Sequence, residues 1–173
     1  MKQIKANIAV SLDGFIATQD NELDWMPQNV RALLNKEYET AHTLLLGANT
    51  YTYIFEHWGG WPYKSKKTFV VSHYDTNVTE KENVTFLTDM PLRAVNELKS
   101  SAETDIQVIG GGKFITSLIE TSLLDEITLY IVPVMLGDGI KFIGKTFGSK
   151  WELTGPRIID NQVVCVTYQF KGE

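Results

Sequence analysis

Short hydrophobic runs alternate with longer amphipathic stretches along most of this chain. Six runs are rich in β-branched and aliphatic residues and predict strands, at residues 4–12, 43–46, 68–72, 84–87, 106–109 and 126–134. Apolar residues recur at helical spacing in three intervening segments, at positions 30, 33, 34 and 38, at 92, 95 and 98, and at 115, 118 and 119. Short strands that alternate with helices predict an α/β fold with a mostly parallel sheet and helices on both faces.

The C-terminal third has a different pattern. Residues 136–139, with the sequence Leu-Gly-Asp-Gly, are followed by no further convincing helix. Segments 151–159 and 162–170 flank the turn residues Asp160 and Asn161 in the manner of a β-hairpin. We therefore expect a mixed sheet that ends in a C-terminal antiparallel hairpin. A chain of 173 residues without an internal repeat or linker is typical of a single domain, spanning residues 1–173.

Composition and charge argue against several classes of function. Hydrophobic residues make up 43% of the chain, charged residues 21%, and the formal net charge is -5, which is typical of a globular protein that does not bind nucleic acid. No run approaches the ~18 apolar residues of a membrane span, so we expect neither a membrane segment nor an export signal. The lone Cys165, expected in the core, favours a cytoplasmic setting. Histidines at 42, 57 and 73 lack metal-ligand spacing, which predicts no metal site.

Three consecutive glycines, Gly110 to Gly112, join the end of an apolar strand to the start of a helix. Glycine lets a phosphate approach the main chain closely, and the free N–H groups in the first turn of a helix favour an anion. A tight structural turn between strand and helix would use glycine as well. Ligands of open α/β sheets bind beyond the carboxyl ends of the parallel strands, where this turn is expected to lie.

Two further segments are expected at the same edge of the sheet. Residues 11–17 follow the first strand, and Asp13 is there either a ligand contact or an ordinary Asp-Gly turn residue. Residues 47–50 follow the second strand, and Asn49 and Thr50 either bind a phosphate or cap the helix. Three strand ends at one edge favour a shared ligand site.

Other candidate residues carry weaker indications. Ser72 and His73 end the next strand, where an adenosine or ribose contact is usual in such sheets, although Ser72 is equally plausible as an ordinary loop residue. Trp25 and Trp58 lie in polar and glycine-rich surroundings, where they either stack on a flat heterocycle or pack in the core. No GxSxG element or paired Cys and His signature supports covalent catalysis.

The segments SLDGFIA, LLLGANTY, FVVS and VIGGGKFITSLIETSLLDEITLYIVPVMLGDG, in this order, resemble the dihydrofolate reductase superfamily. Within it, they are similar to the reductase domain of bacterial riboflavin biosynthesis and its stand-alone relatives. The resemblance covers nearly the whole chain and implies a three-layer dihydrofolate reductase-like fold with NADPH, or NADH, as cofactor. In this family the glycine turn holds the cofactor pyrophosphate, and a cis peptide can join its first two glycines, here Gly110 and Gly111. The implied cofactor-binding residues are Ile16, Ala17, Gly47, Asn49, Thr50, Ser72, His73, Ile109, Gly110, Gly111, Gly112, Lys113, Phe114 and Ile115.

The chain departs from this family at two positions. Many NADPH-using relatives carry a basic residue after the first glycine of the second segment, where this chain has Ala48. Dihydrofolate reductases place a carboxylate about two residues after a proline on the first helix. Counting from Pro27 gives Asn29, and an amide cannot serve as the anionic partner of a protonated pterin.

The leading hypothesis is an NAD(P)H-dependent reductase of a small heterocyclic substrate, similar to 5-amino-6-(5-phosphoribosylamino)uracil reductase. Asp13 is the candidate catalytic residue, and the candidate substrate-binding residues are Asp13, Trp25, Asn29 and Trp58. The alternatives are a dihydrofolate reductase and a noncatalytic nucleotide-binding protein of the same fold. Riboflavin-type relatives commonly dimerise, so we expect a homodimer paired through the apolar stretch 127–136 or the C-terminal hairpin.

Overall fold

A computed structural model of the chain describes residues 2–72, 82–88, 90–144, 148–160 and 162–172. Its strands are β1 (Ile4–Ser11), β2 (Phe15–Ala17), β3 (Thr43–Gly47), β4 (Lys67–Val71), β5 (Val84–Leu87), β6 (Ile106–Ile109), β7 (Glu126–Val132), β8 (Ile140–Lys141), β9 (Lys150–Ile159) and β10 (Val163–Gly172). Its helices are α1 (Gln28–Thr40), α2 (Ala48–His57), α3 (Pro91–Ser101) and α4 (Gly112–Glu120). The six predicted strands and three predicted helices are confirmed; two of the strands have the predicted ends, and the ends of the other four differ by at most two residues.

One mixed sheet organises the molecule. Eight strands follow the order β5-β4-β3-β6-β1-β7-β10-β9, and the pairs from β5 to β7 are all parallel. Strand β10 is antiparallel to both β7 and β9, so the predicted C-terminal hairpin is confirmed. Asp160 turns this hairpin with a φ of 49°, while its neighbour Asn161 lies outside the described residues. The short strands β2 and β8 form a separate antiparallel pair.

Helices cover both faces of the sheet. Helices α1 and α2 pack on one face through a cluster that includes Val30, Leu34 and Ile54. Helices α3 and α4 pack on the other face through Val95 and Leu118. Because β1 is central and covered on both sides, its sequence is a nearly continuous apolar run. The α/β three-layer fold predicted from the sequence is confirmed.

The polar positions of the central strand β1 fall on one side of the sheet. Residues of β1 alternate between the two clusters, so that Ala6, Ile8 and Val10 face α3 and α4 while Ala9 faces α1 and α2. By the same alternation, Lys5 and Asn7 lie on the face of α1. Cys165 is buried on that face, as expected of a small core residue. Within the described residues, no helix is long and apolar enough to cross a membrane.

Candidate functional site

The carboxyl ends of the parallel strands gather the sequence-predicted segments at one edge of the sheet. Strands β1, β3, β4 and β6 run in the same direction and end at Ser11, Gly47, Val71 and Ile109. The glycine turn, the start of α2 and the loop after β1 therefore lie at that edge. Ser72 is buried there next to β4, whereas His73 lies outside the described residues.

Each glycine of the turn occupies a position that a side chain would disturb. Gly110 and Gly111 have φ values of 50° and 82°. A Cβ on Gly111 would lie 2.8 Å from Oγ1 of Thr50, and a Cβ on Gly112 would lie 2.9 Å from the carbonyl oxygen of Phe142. The expected cis peptide is wrong, because the Gly110–Gly111 bond is trans. The chain reverses direction here through two positive φ values. It thereby avoids a cis peptide bond that does not precede proline, which costs about 2.5 to 4 kcal/mol.

Two helix N-termini converge on this turn. Gly111 is the N-cap of α4, and Gly47 is the N-cap of α2. A Cβ on Gly47 would lie 3.3 Å from Cβ of Phe114, and Thr50 in the first turn of α2 lies against the glycine turn. The first N–H groups of each helix have no intrahelical partner, and both helix dipoles favour negative charge at these ends. The junction of α2 and α4 can therefore hold an anion such as a phosphate group.

The structure excludes one of the two roles that the sequence left open for Asn49 and Thr50, and the phosphate contact stays a prediction. Helix α2 begins at Ala48 with Gly47 as its N-cap, and no side chain makes the capping bond. The helix-capping interpretation of Asn49 and Thr50 is therefore wrong. Asn49 is exposed in the first helical turn, while Thr50 is half-buried beside Gly110 and Gly111. Both side chains are at the right end of the helix to contact an anion.

The predicted cofactor-binding residues on α4 differ in the exposure of their side chains. Lys113 is exposed, so its ammonium group is free to approach a bound anion from solvent. Phe114 and Ile115 are buried in the core between α4 and the sheet. Their side chains are therefore not placed to contact a ligand at the turn, and the N–H of Ile115 already donates to the carbonyl oxygen of Gly111 (2.9 Å), so only the N–H of Phe114 remains for such a contact.

Hydrogen bonds of Asp13 join the loop after β1 to the loop at residues 136 and 137. Its carboxylate accepts hydrogen bonds from the Ser11 hydroxyl (2.5 Å) and from the N–H groups of Leu136 (3.2 Å) and Gly137 (2.7 Å). The Ser11 bond is the largest cause that lowers the pKa of Asp13 to about 2, against a weaker opposing effect of desolvation. Asp13 is thus ionised at neutral pH and is not a proton donor there. Its predicted role toward substrate stays a prediction.

Strands β2 and β8 bring the predicted nicotinamide-side residues to the turn. Sequence reasoning treated residues 15–17 as a loop because strands this short carry little periodicity. A Cβ on Gly112 would lie 3.0 Å from Cδ1 of Ile16, so Ile16 packs directly beside the glycine turn. Gly139, with a φ of 147°, lies so close to the carbonyl oxygen of Ala17 that a Cβ would be 2.3 Å from it. Ile16 and Ala17 are thereby fixed at the edge that carries the candidate anion site.

The predicted substrate-binding residues are more scattered. The Asn29 amide donates to the Asp160 carboxylate at 2.5 Å, which ties the start of α1 to the hairpin turn. Trp25 is half-buried against the α1 and α2 cluster. Trp58 is 47% exposed at the C-terminal end of α2. A helix of this length spans about 15 Å, so Trp58 is remote from the glycine turn.

Two buried hydrogen-bond donors that the structure describes lack a partner, and the sequence predicted a functional role for only one of them. Among the described residues, the indole N–H of Trp25 and the hydroxyl of Tyr51 are buried without a hydrogen bond. Trp25 was predicted from its surroundings, whereas Tyr51, immediately after Thr50, has the helical spacing of an ordinary core residue. Burial of an unpaired donor is costly, so such a group is a candidate for a ligand contact.

Comparison with protein families shows which family this chain belongs to. Residues 2–165 match the RibD C-terminal domain family. The chain belongs to this family. Two relatives are the uncharacterized proteins YwjB and YyaP of Bacillus subtilis (strain 168). YwjB is 30% identical over 154 residues, covering 87% of this chain and 88% of YwjB. YyaP is 29% identical over 187 residues, covering 99% of this chain and 96% of YyaP.

Solved structures place this RibD C-terminal domain among reductase-like folds. A riboflavin biosynthesis protein of Shewanella sp. PV-4, described as putative, superposes with a TM-score of 0.84 at 25% identity, over 98% of this chain and 99% of that one. Dihydrofolate reductase from Enterococcus faecalis, in complex with NADP(H), gives 0.73 at 20% identity, over 97% and 96%. The deaminase/reductase of Thermotoga maritima gives 0.73 at 14% identity, over 98% of this chain and 57% of that one. The predicted resemblance and fold are confirmed.

Proposed function

We propose that this protein is an NAD(P)H-dependent reductase of a small nitrogen heterocycle, similar in activity to the riboflavin-type reductases. The observation that carries the proposal is the junction of the α2 and α4 N-termini at Gly110 to Gly112. Glycine leaves the backbone N–H groups of this turn without a Cβ beside them, and the packing of Thr50 and Phe142 against Gly111 and Gly112 admits no other residue type without a clash. The residues present therefore fit a dinucleotide cofactor.

The residues have distinct roles in this proposal. The backbone N–H groups of α4 and the Thr50 hydroxyl bind the diphosphate, and Lys113 adds positive charge at the rim. Ile16 and Ala17 pack against the nicotinamide ring and exclude water from it. When bound, the reduced nicotinamide supplies the hydride. Because Asp13 is ionised, the proton that completes a reduction comes from solvent, while Asp13 holds the loops that enclose the substrate.

Folate is a weaker candidate for the substrate. Asn29 stands where a dihydrofolate reductase carries its carboxylate, and its amide already donates to Asp160. An amide in this arrangement provides no negative charge of its own for a protonated pterin. Smaller heterocycles that do not need an anionic partner are favoured.

Cofactor binding is tested by titrating NADPH and NADH against tryptophan fluorescence, with calorimetry as confirmation. Thr50→Val removes one hydroxyl from the proposed phosphate site, and we expect the Kd to rise about tenfold. Thr52→Val is the matched control, because Thr52 is an exposed threonine on the same helix. Saturable binding of neither nucleotide would overturn the proposal.

Turnover is tested separately, by following cofactor oxidation with a panel of aminopyrimidines, pterins and carbonyl compounds. Oxidation with an aminopyrimidine supports the proposed substrate class. Oxidation with dihydrofolate alone would favour the dihydrofolate reductase alternative. Cofactor binding with no turnover on any compound would favour the noncatalytic alternative.

We also propose that the protein is a homodimer that pairs through the C-terminal hairpin. Strand β9 is at the edge of the sheet, and it exposes Leu153 (49%) and Ile158 (70%). An edge strand with exposed apolar side chains is a template for pairing with a second chain. Ile158→Asp is expected to give a monomer in sedimentation velocity, whereas Thr85→Asp, on the opposite edge strand β5, leaves the dimer intact. A monomeric native protein would contradict this.

A further inference from the structure

A polar cavity lies on the α1 face of the sheet, away from the glycine turn. Its volume is about 200 Å³. Its lining residues are Lys5, Asn7, Glu37, Gln107, Glu126, Thr128, Tyr130 and Arg157. Lys5 lies opposite Gln107 and Glu126 in the sheet register, near the first residues of β1, β6 and β7. The cavity therefore covers the amino-terminal halves of these three parallel strands. The distance along β1 from Lys5 to Ser11 is about 20 Å, which separates this cavity from the cofactor edge.

The floor of the cavity is unusually polar for a sheet face under a helix. Asn7, Gln107 and Thr128 are at most 9% exposed, and burial of such groups is costly unless they are hydrogen-bonded. Gln107 uses its Nε2 group on the carbonyl oxygens of Lys5 (3.1 Å) and Val108 (3.3 Å), and Thr128 bonds Thr167 (2.9 Å).

Asn7 is different, because within the described part of the chain its side-chain amide makes no hydrogen bond to the protein and, unlike Trp25 Nε1 and Tyr51 OH, it is not fully buried and is therefore open to the cavity. Asn7 is only 8% exposed and lies on the cavity floor. Its amide presents one acceptor and two donors at adjacent atoms. The Gln107 amide oxygen beside it is a further acceptor, since the bonds of that side chain are made by its nitrogen. The floor therefore complements a molecule that carries N–H and C=O groups side by side.

The rim of the cavity carries balanced charge. Lys5 and Arg157 oppose Glu37 and Glu126, and Lys5 lies 3.9 Å from Glu126. Arg157 is held in place at Nε, which donates to the Cys165 sulfur at 3.3 Å. Lys5 is also paired with Asp105 at 3.0 Å, so its charge is neutralised and the rim gives no net attraction for a phosphate. The rim favours an uncharged guest.

We propose that this cavity is a binding site for a small, net-neutral molecule with an amide or ureide edge, such as a cyclic ureide. A volume of about 200 Å³ corresponds to roughly seven water molecules at liquid density, which is room for one five- or six-membered ring. A second cavity of about 220 Å³ shares Glu37 and Gln107 and offers space for a ring substituent. This site is separate from the cofactor edge and does not depend on the proposed reductase activity.

Three probes test the chemistry of the site: hydantoin, a neutral cyclic ureide; 1,3-dimethylhydantoin, which lacks N–H donors; and hydantoin-5-acetate, which is anionic. Binding is followed by NMR chemical shifts of the intact protein, including the side-chain amide of Asn7. We expect hydantoin to bind saturably and to shift the Asn7 amide, with an affinity at least about fivefold higher than that of either derivative.

Variants locate the binding. Asn7→Leu removes the unpartnered amide, and we expect it to raise the Kd of hydantoin about tenfold. If this buried substitution prevents folding, Arg157→Gln on the exposed rim replaces it, with an expected loss of about threefold. Arg93→Gln is the matched control, since Arg93 is on α3 at the opposite face of the sheet.

Three results would overturn the inference: no saturable binding of hydantoin, equal binding of all three probes, or shifts confined to residues of the glycine turn. NADPH is titrated in the same samples. Absence of NADPH binding with hydantoin binding intact would refute the proposed function alone, and the reverse result would refute this site alone.

Discussion

Gly111→Ala is expected to destabilise the protein by about 3 kcal/mol through two separable causes. The backbone at Gly111 has a φ of 82° and a ψ of 92°, which an alanine adopts at a cost of about 1 to 3 kcal/mol. The new Cβ would also lie 2.8 Å from Oγ1 of Thr50, inside van der Waals contact. Relief of this contact requires movement of Thr50 or of the turn, and overpacking of this kind costs about 1 to 3 kcal/mol.

The free energy of unfolding in urea measures both causes when two further variants are included. Gly59→Ala is the control for backbone conformation, because Gly59 has a φ of 73° but nothing within 4 Å of its Cβ position. Gly59→Ala is expected to cost only about 1 kcal/mol. Thr50→Ala removes the hydroxyl oxygen that the new Cβ would meet, so Gly111→Ala in that background is expected to cost about 1 to 2 kcal/mol less than in the native protein.

The reasoning is refuted if Gly111→Ala costs the same in the native protein and in the Thr50→Ala background. That result would mean that α2 does not press against the glycine turn. The junction of two helix N-termini, on which the cofactor proposal depends, would then be wrong as well. Equal costs for Gly111→Ala and Gly59→Ala would lead to the same conclusion about the packing of the turn.

Two other substitutions test the loops and the core. Asp13→Asn is expected to lower the Tm at neutral pH and to flatten the acid side of the plot of Tm against pH. The pKa of the Asp13 carboxylate falls from 3.8 to about 2 on folding. The ionised carboxylate therefore stabilises the folded protein above pH 3.8, and this stabilisation is lost as the pH falls through 2. A native profile unchanged by the substitution between pH 4 and 2 would contradict the loop contact. Lys99→Met is expected to cost about 1 to 3 kcal/mol in urea unfolding, since the ammonium group of this side chain, which is 11% exposed, donates to Asp125 (2.7 Å) and to the carbonyl oxygen of Leu123 (3.1 Å). A cost below about 0.5 kcal/mol would show that these bonds are replaced by water.

Periodicity was sufficient to predict most of the fold because the longer strands and the helices, apart from the exposed edge strand β9, bury at least one face. Strands β2 and β8, of three and two residues, are too short to show a period, and their pairing depends on the close approach of Gly139 to Ala17. The three glycines predicted a tight turn correctly. The cis peptide, implied by family resemblance, was wrong because the same reversal is achieved with two positive φ values.

The site was predictable only in part, since long-range contacts are not encoded in local patterns. Strand ends indicated which segments meet, and Thr50 does lie against Gly111. No local pattern indicated that Asp13 would bond residues 136 and 137, more than a hundred positions away, or that Asn29 would bond Asp160. Polar residues such as Asn7 and Gln107, inside strands with an otherwise apolar pattern, were likewise not recognised as one cavity.

The difference between backbone and side-chain recognition explains why the cofactor is easier to infer than the substrate. The proposed diphosphate site consists mostly of backbone N–H groups at two helix ends, with the Thr50 hydroxyl and Lys113 as its side-chain contacts, so it requires little of the sequence beyond these two residues and the glycines of the turn. The same fold is found in proteins that are 20% and 14% identical to this one. Substrate contacts depend on the identity of side chains, and at α1 this chain has an amide bonded to a carboxylate from the hairpin turn. Discrimination among heterocycles should therefore change on substitution of Asn29 or Asp160, while the affinity for the cofactor stays constant.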